Sequence, residues 1–250
     1  MKNRFYTLFL LFALPVFCFA QDIAALQKEA EQLELTSDEA AFKKYQEILH
    51  IQPVNLVAIC KSSELCSAIG HKQTVKSLKI DYFKTARRYA AIALKLSPAN
   101  SDANFVMAIA MGRLALVLGG REKIEAVNDI KKYSELAIKY NPSNYKPYHV
   151  LGRWHYEVSN LGGLERTAAR LFYGGLPPAS LKEAIYNYEK SMSLSPDAMV
   201  NYTELAKCYI RNGEKEKAIA LLNKLMSMPD KIPADLRVKE EGKKLMKELK

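Results

Sequence analysis

The chain has 250 residues, of which 49% are hydrophobic and 26% charged, with 11 Gly and 10 Pro. That composition excludes a disordered or collagenous chain and supplies enough apolar residues for a sizeable core. A formal net charge of +10 favours anionic partners (phosphate head groups, acidic peptides or nucleic acid), although Lys on solvated helix faces also serves solubility.

Residues 1–20 read as a segment apart. Lys2 and Arg4 make a basic start, residues 7–19 are apolar apart from Thr7, and Ala20 is a small residue before Gln21. This predicts a secretory signal peptide over residues 1–20, cleaved after Ala20. As a helix the apolar run reaches only about 20 Å, short of a hydrocarbon core of roughly 30 Å, and Pro15 interrupts it. Phe17 before Cys18 argues against lipid attachment there. Cleavage would remove two cations, leaving about +8, and would place the protein in the periplasm or outside the cell, where nucleic acid is not an expected partner. It would also leave Cys60, Cys66 and Cys208, an odd number that offers no disulfide framework and reads as buried small apolar residues.

Pro53, Pro98, Pro142, Pro196 and Pro229 punctuate the remainder, and each of the first four closes a long amphipathic stretch. The intervals are 45, 44, 54 and 33 residues, and the last is close to the tetratricopeptide period of about 34. The first unit, 22–53, has an acidic helix over 22–35, a capping box from Thr36 to Glu39, and Ala41, Tyr45 and Ile48 on the inner face of its second helix. The second, 55–98, sets Leu56, Ile59, Cys60 and Ser63 against Ala86, Ala90 and Ala93, with a polar connection over 69–79 in which Gly70 ends a helix. The third, 101–142, sets Ala108, Met111, Gly112 and Ala115 against Ile130, Ser134 and Ala137, across a stop at Gly119 and Gly120. In the fourth, 144–196, Tyr148, Leu151, Gly152 and His155 are answered by Ala184, Tyr188 and Ser191, after an insertion over 160–180 that ends in a capping box from Ser180 to Glu183. The fifth, 198–229, carries Tyr202, Leu205, Ala206 and Tyr209, an Asn212-Gly213 turn, then Ala218, Leu222 and Leu225, which is the large, large, small, large pattern of the tetratricopeptide. Residues 233–250 read as a charged cap. The expected fold is an all-α, tetratricopeptide-like, right-handed α-solenoid of about five helix pairs plus a C-terminal cap helix.

Leu-Gly-Arg-Trp over 151–154, Leu164-Glu165-Arg166 with Ala168 and Ala169, Leu171-Phe172, Pro177-Pro178-Ala179-Ser180 and Ala206-Lys207-Cys208-Tyr209 are more specific than a generic repeat. Here the chain resembles the regulator of microtubule dynamics family, over about 81–228 and most sharply over 148–209. The resemblance implies a helical, tetratricopeptide-like domain without known catalysis. Animal members are linked to microtubules and, in one membrane-anchored case, to organelle contacts and phospholipid binding or transfer. An exported relative would not meet microtubules, so that activity is not carried over.

No catalytic constellation stands out. His50, His71, His149 and His155 are scattered, the cysteines lack metal-ligand spacing, and there is neither a P-loop nor a nucleophile elbow. We therefore expect no enzyme, no metal and no cofactor. A register effect supplies the candidate site. First helices line the concave groove of such an array, and the residue after the small packing position projects into it. In units two to five that residue is Lys61, Arg113, Arg153 and Lys207. Such a row suits an acidic peptide, a terminal carboxylate or a phosphate; alternatively, these cations pair with acidic neighbours such as Glu64, Glu157 and Glu204. Trp154 and Tyr156 are placed beside the row as groove residues, with packing between helices as the alternative for such aromatics, and Leu164, Leu171, Phe172 and Tyr173 on a short helix that would form a lid. The expected role is a protein- or peptide-binding scaffold of the cell envelope with a basic concave groove for an anionic ligand. The alternative is a phospholipid or fatty-acid carrier, and peripheral membrane contact fits the charge.

Overall fold

The computed structural model describes residues 14–249, with side-chain burial from residue 23 onward. Of the expected signal segment, residues 1–13 lie outside the described residues and 14–20 form the start of the first helix. The described chain is helical, without strands: α1 (Leu14–Glu34), α2 (Asp38–Ile51), α3 (Leu56–Lys72), α4 (Lys76–Leu96), α5 (Ser101–Ala115), α6 (Gly120–Tyr140), α7 (Tyr145–Ser159), α8 (Gly163–Tyr173), α9 (Leu181–Leu194), α10 (Val200–Arg211), α11 (Lys215–Ser227) and α12 (Pro233–Glu248). Side chains that satisfy orphan backbone donors begin several of them. The Asn55 and Asn100 carboxamide oxygens accept from the Ala58 and Ala103 N–H groups, each at 2.9 Å, and Ser180 Oγ accepts from Glu183 N–H at 3.1 Å.

The helices pack as antiparallel pairs, α1 with α2, α3 with α4, α5 with α6, α7 with α9 and α10 with α11, and each pair stacks on the next. The expected tetratricopeptide-like α-solenoid is therefore the architecture. Small residues sit at the crossings: Ala41, Ala86, Ala90, Ala93, Ala108, Ala126, Ala137, Ala184, Ala206 and Ala218 are fully buried, so helix axes approach closely. Pro233 opens α12, which packs on α10 and α11, Gly242 lying against Leu225 and Met226.

Gly152 shows why size matters at these crossings. A Cβ there would lie 3.1 Å from the ring of Tyr188, which is itself fully buried. Gly152→Ala gains about 1 kcal/mol of helix propensity but overpacks a ring with nowhere to go, at about 1–3 kcal/mol. We expect a net loss of about 1 kcal/mol, read as a lowered thermal midpoint; a raised midpoint would show that Tyr188 can yield.

Three local expectations differ. The first cap lies one residue later than expected: Ser37, not Thr36, accepts from the Ala40 N–H at 3.2 Å, so Glu39 is out of register to reach back. Gly70 does not end a helix. It lies inside α3, where a Cβ would fall 2.8 Å from Phe83 and Tyr82, so the position has room only for glycine. The polar connection expected over 69–79 shrinks to residues 73–75. The insertion does form a short helix, α8, but its main helix partner is α6, the second helix of the third pair. It is therefore not a lid over α3, α5, α7 and α10. Small Ala169 is buried on its inner side, and Arg166 donates to the carbonyls of Val158 and Leu161 at 2.9 and 3.1 Å, which fastens α8 to the end of its own pair.

Candidate functional site

The first helices α3, α5, α7 and α10 follow one another along one side of the stack, α3 touching α5, α5 touching α7 and α7 touching α10. The four cations of the row occupy one of these helices each, but their environments differ. Lys61 Nζ donates to Glu34 at 2.7 Å, and the same carboxylate accepts from the hydroxyl of Tyr45 at 2.6 Å. Lys207 Nζ is held by Glu204 at 2.9 Å and by Glu241 of α12 at 2.6 Å. The two ends of the row are thus neutralised.

The middle is not. Arg153 is 56% exposed and reaches only its helical neighbour Glu157, at 4.0 Å, a separation worth little on a surface. Arg113 has no ion-pair partner among the described residues, and its Nε is buried without an acceptor. Burial, then the like charge of Arg153, works against its protonated form. His71, at the end of α3, has its pKa lowered by burial and then by Arg113, Lys79, Arg153 and Arg237. His149 is also lowered, chiefly by burial and further by Arg153 and Arg113, although Asn201 at 2.8 Å and Glu204 act the other way. The cations that disfavour a charged His71 thus come from α4, α5, α7 and α12. The centre of the row can accept an anion through charge-assisted hydrogen bonds from two guanidinium groups.

Of the acids weighed as neighbours, Glu204 binds Lys207 and Glu157 lies near Arg153, but Glu64 is taken by Lys146 of α7, at 3.1 Å. Trp154 is not in the groove. It is 3% exposed, packs with Leu151 and Val158 against Val127 and Ile130 of α6, and its indole N–H donates to the Val127 carbonyl at 2.7 Å. One residue is about 100° of helix, so the step from Arg153 to Trp154 carries the side chain from the open face to the interface behind it. Tyr156 is half-buried, its ring 5.3 Å from the Arg211 guanidinium and packed toward the fifth pair. Of the expected lid, Leu164, Leu171 and Phe172 project to solvent, and the Tyr173 hydroxyl lies beside Gly120 at the start of α6. Sequence reasoning did not find His71, His149 or Arg237 at the site; the equivalent-position rule that found the row has no term for a cap helix returning toward it.

Cys60, Cys66 and Cys208 are buried and free, and burial pushes each thiol up to about 12. Among the described residues no group of His, Cys, Asp and Glu is close enough to hold a metal ion, and no helix is long and apolar enough to cross a membrane.

Comparison with known proteins gives the same architecture. A thermophilic TPR protein of Thermus thermophilus superposes with a TM-score of 0.67 over 90% of this chain and 98% of its own, at 15% identity, which speaks to fold alone. Regulator of microtubule dynamics protein 2 of Mus musculus is 30% identical over 173 residues, 69% of this chain and 42% of the mouse protein. Regulator of microtubule dynamics protein 1 of Caenorhabditis elegans is 29% identical over 160 residues, 64% of this chain and 71% of the nematode protein. The chain thus spans less than half the length of the mouse relative. The family model described as Regulator of microtubule dynamics protein 1-3 matches residues 26–250, and on that match, with the stacked helix pairs that underlie it, this chain belongs to the regulator of microtubule dynamics protein 1-3 family.

Proposed function

We propose that this chain is a non-enzymatic scaffold that holds an acidic segment of a partner protein in its concave face, and that it meets this partner in the cell envelope once residues 1–20 have directed export. The observation that carries the reading is the un-neutralised pair Arg113 and Arg153 between two neutralised lysines. Arg113 Nε is buried with no acceptor among the described residues, so a carboxylate reaching it gains a charge-assisted hydrogen bond. A carboxylate arriving between α5 and α7 supplies the missing acceptor and finds Arg153 beside it.

A fluorescently labelled oligo-glutamate peptide tests this by anisotropy. Arg153→Glu is expected to weaken its binding at least about tenfold, since a hydrogen bond to a charged group contributes about 1.5–3 kcal/mol. Lys61→Ala is expected to change it less than about threefold, because Lys61 is already occupied by Glu34. Equal losses from both variants, or no loss from Arg153→Glu, would overturn the assignment.

A further inference from the structure

We infer that the edge of the solenoid carrying α8 is a docking surface for an anionic lipid bilayer, with α8 lying in the interfacial plane. A helix on a protein surface ordinarily turns its apolar stripe inward. α8 does the reverse. Leu164, Ala168, Leu171 and Phe172 fall at i, i+4, i+7 and i+8 and so share one face, and Leu164 is 86%, Phe172 73% and Leu171 69% exposed. The opposite face carries buried Ala169 and Arg166, whose guanidinium is bonded to the Val158 and Leu161 carbonyls. The outward aim is anchored at both ends. Glu165 accepts from the Gly162 N–H at 2.9 Å, and beyond the helix Gly174 and Gly175 take φ of +80° and +90°, returning the Gly175 N–H to the Ala169 carbonyl at 3.0 Å.

The charge around this stripe selects the occupant. Connections between the first and second helices of successive pairs lie on one edge of such a stack, and in pairs two to five the connections with their adjoining helix ends cover residues 70–79, 116–123, 160–176 and 211–217. These segments hold ten Lys and Arg against four Glu. On the opposite edge, residues 49–56, 95–102, 139–146 and 194–201 hold three Lys against two Asp. The acidic exception on the α8 edge is the first pair, where Asp38 binds Lys72 at 2.7 Å. Leu116 adds another exposed apolar side chain at the neighbouring connection, and Arg121, 80% exposed, pairs only with its helical neighbour Glu125 at 3.0 Å. An apolar helix face set in a cationic rim is the pattern of a helix that lies in a membrane interface: the apolar side chains enter the acyl boundary while Lys and Arg meet anionic head groups. This surface is separate from the groove of Arg113 and Arg153, and the inference does not rest on the proposed peptide site.

Vesicles of phosphatidylcholine with and without phosphatidylglycerol test it. Trp154 is buried and gives a constant background, so Phe172→Trp introduces an indole that reports on α8 alone. Its emission is expected to shift to the blue with phosphatidylglycerol vesicles and not with phosphatidylcholine alone. Leu164→Ser with Phe172→Ser, both at exposed positions, is expected to retain the helical spectrum while weakening vesicle partition at least about tenfold, as loss of two interfacial apolar side chains requires. Arg121→Glu with Arg170→Glu should weaken partition several-fold, and Arg153→Glu in the groove should leave it unchanged. Absence of co-sedimentation with phosphatidylglycerol vesicles at low salt, or binding unchanged in Leu164→Ser with Phe172→Ser, would overturn the inference. So would a dimer in sedimentation velocity that the same double variant dissolves, since that would assign the face to a second copy of the chain.

Discussion

Trp154→Ala is expected to lower the free energy of unfolding by about 3–5 kcal/mol, the largest single-residue effect we anticipate. The indole is nearly inaccessible and fills the gap between α7 and α6, in contact with Leu151, Val158, Val127 and Ile130. Truncation leaves a cavity that two packed helices cannot close, and it removes the donor to the Val127 carbonyl. Trp154→Phe keeps most of the buried surface and should cost about 1 kcal/mol for the lost hydrogen bond, plus a modest packing deficit. Because Trp154 is the only tryptophan, unfolding is best followed by far-ultraviolet circular dichroism in urea. A loss below about 1 kcal/mol for Trp154→Ala would mean a surface side chain, as a groove-lining role requires.

The second large effect concerns a pair that joins the second unit to the fourth. Lys146 Nζ sits 3.2 and 3.1 Å from the two oxygens of Glu64, and 5.2 Å from the ring centroid of Phe105 on the helix between them. Lys146→Met strands the Glu64 carboxylate against that apolar surface. We expect a loss of about 2–3 kcal/mol, below the ~3–5 of a fully buried pair because the two side chains are 29% and 25% exposed. Adding Glu64→Leu should recover most of it, since a matched apolar pair carries no desolvation penalty. A double variant as unstable as the single would show that packing, not the stranded charge, sets the cost. The pH dependence has a definite sign. Burial lowers the Lys146 pKa, but Glu64 outweighs burial and the folded value lies above the ordinary lysine value. The contribution is therefore fully present below that ordinary value, about 10.4, and is lost as pH rises through the raised folded value.

Much of the fold was legible because its signals are local. Small residues at fixed offsets, prolines after helix ends, and Ser or Asn before apolar runs act within one or two turns, and they led to five pairs and a cap. Gly70 marks the limit of that reading. A glycine near a helix end normally signals a stop, yet here it accommodates the rings of Phe83 and Tyr82 from the next helix. The positions of Lys61, Arg113, Arg153 and Lys207, one on each successive first helix, were equally legible, since each follows a small packing residue. Their pairing was not. Glu34 lies 27 residues before Lys61 and Glu241 lies 34 after Lys207; no local pattern relates them.

By itself, then, the amino-acid sequence determined the helical repeat, the existence of a short helix between Gly163 and Tyr173, and which cations follow the packing positions, because each depends on contacts within a helix or a hairpin. Only the tertiary structure decided that Trp154 faces α6, that α8 turns its leucines and phenylalanine to solvent rather than closing the groove, and that Arg113 and Arg153 alone of the row keep their charge uncompensated. The physical reason is that both burial and neutralisation are set by which distant helix arrives alongside. An apolar stripe at helical spacing reads the same whether its partner is a protein core or a membrane, and a lysine reads the same whether or not a glutamate from another unit reaches it.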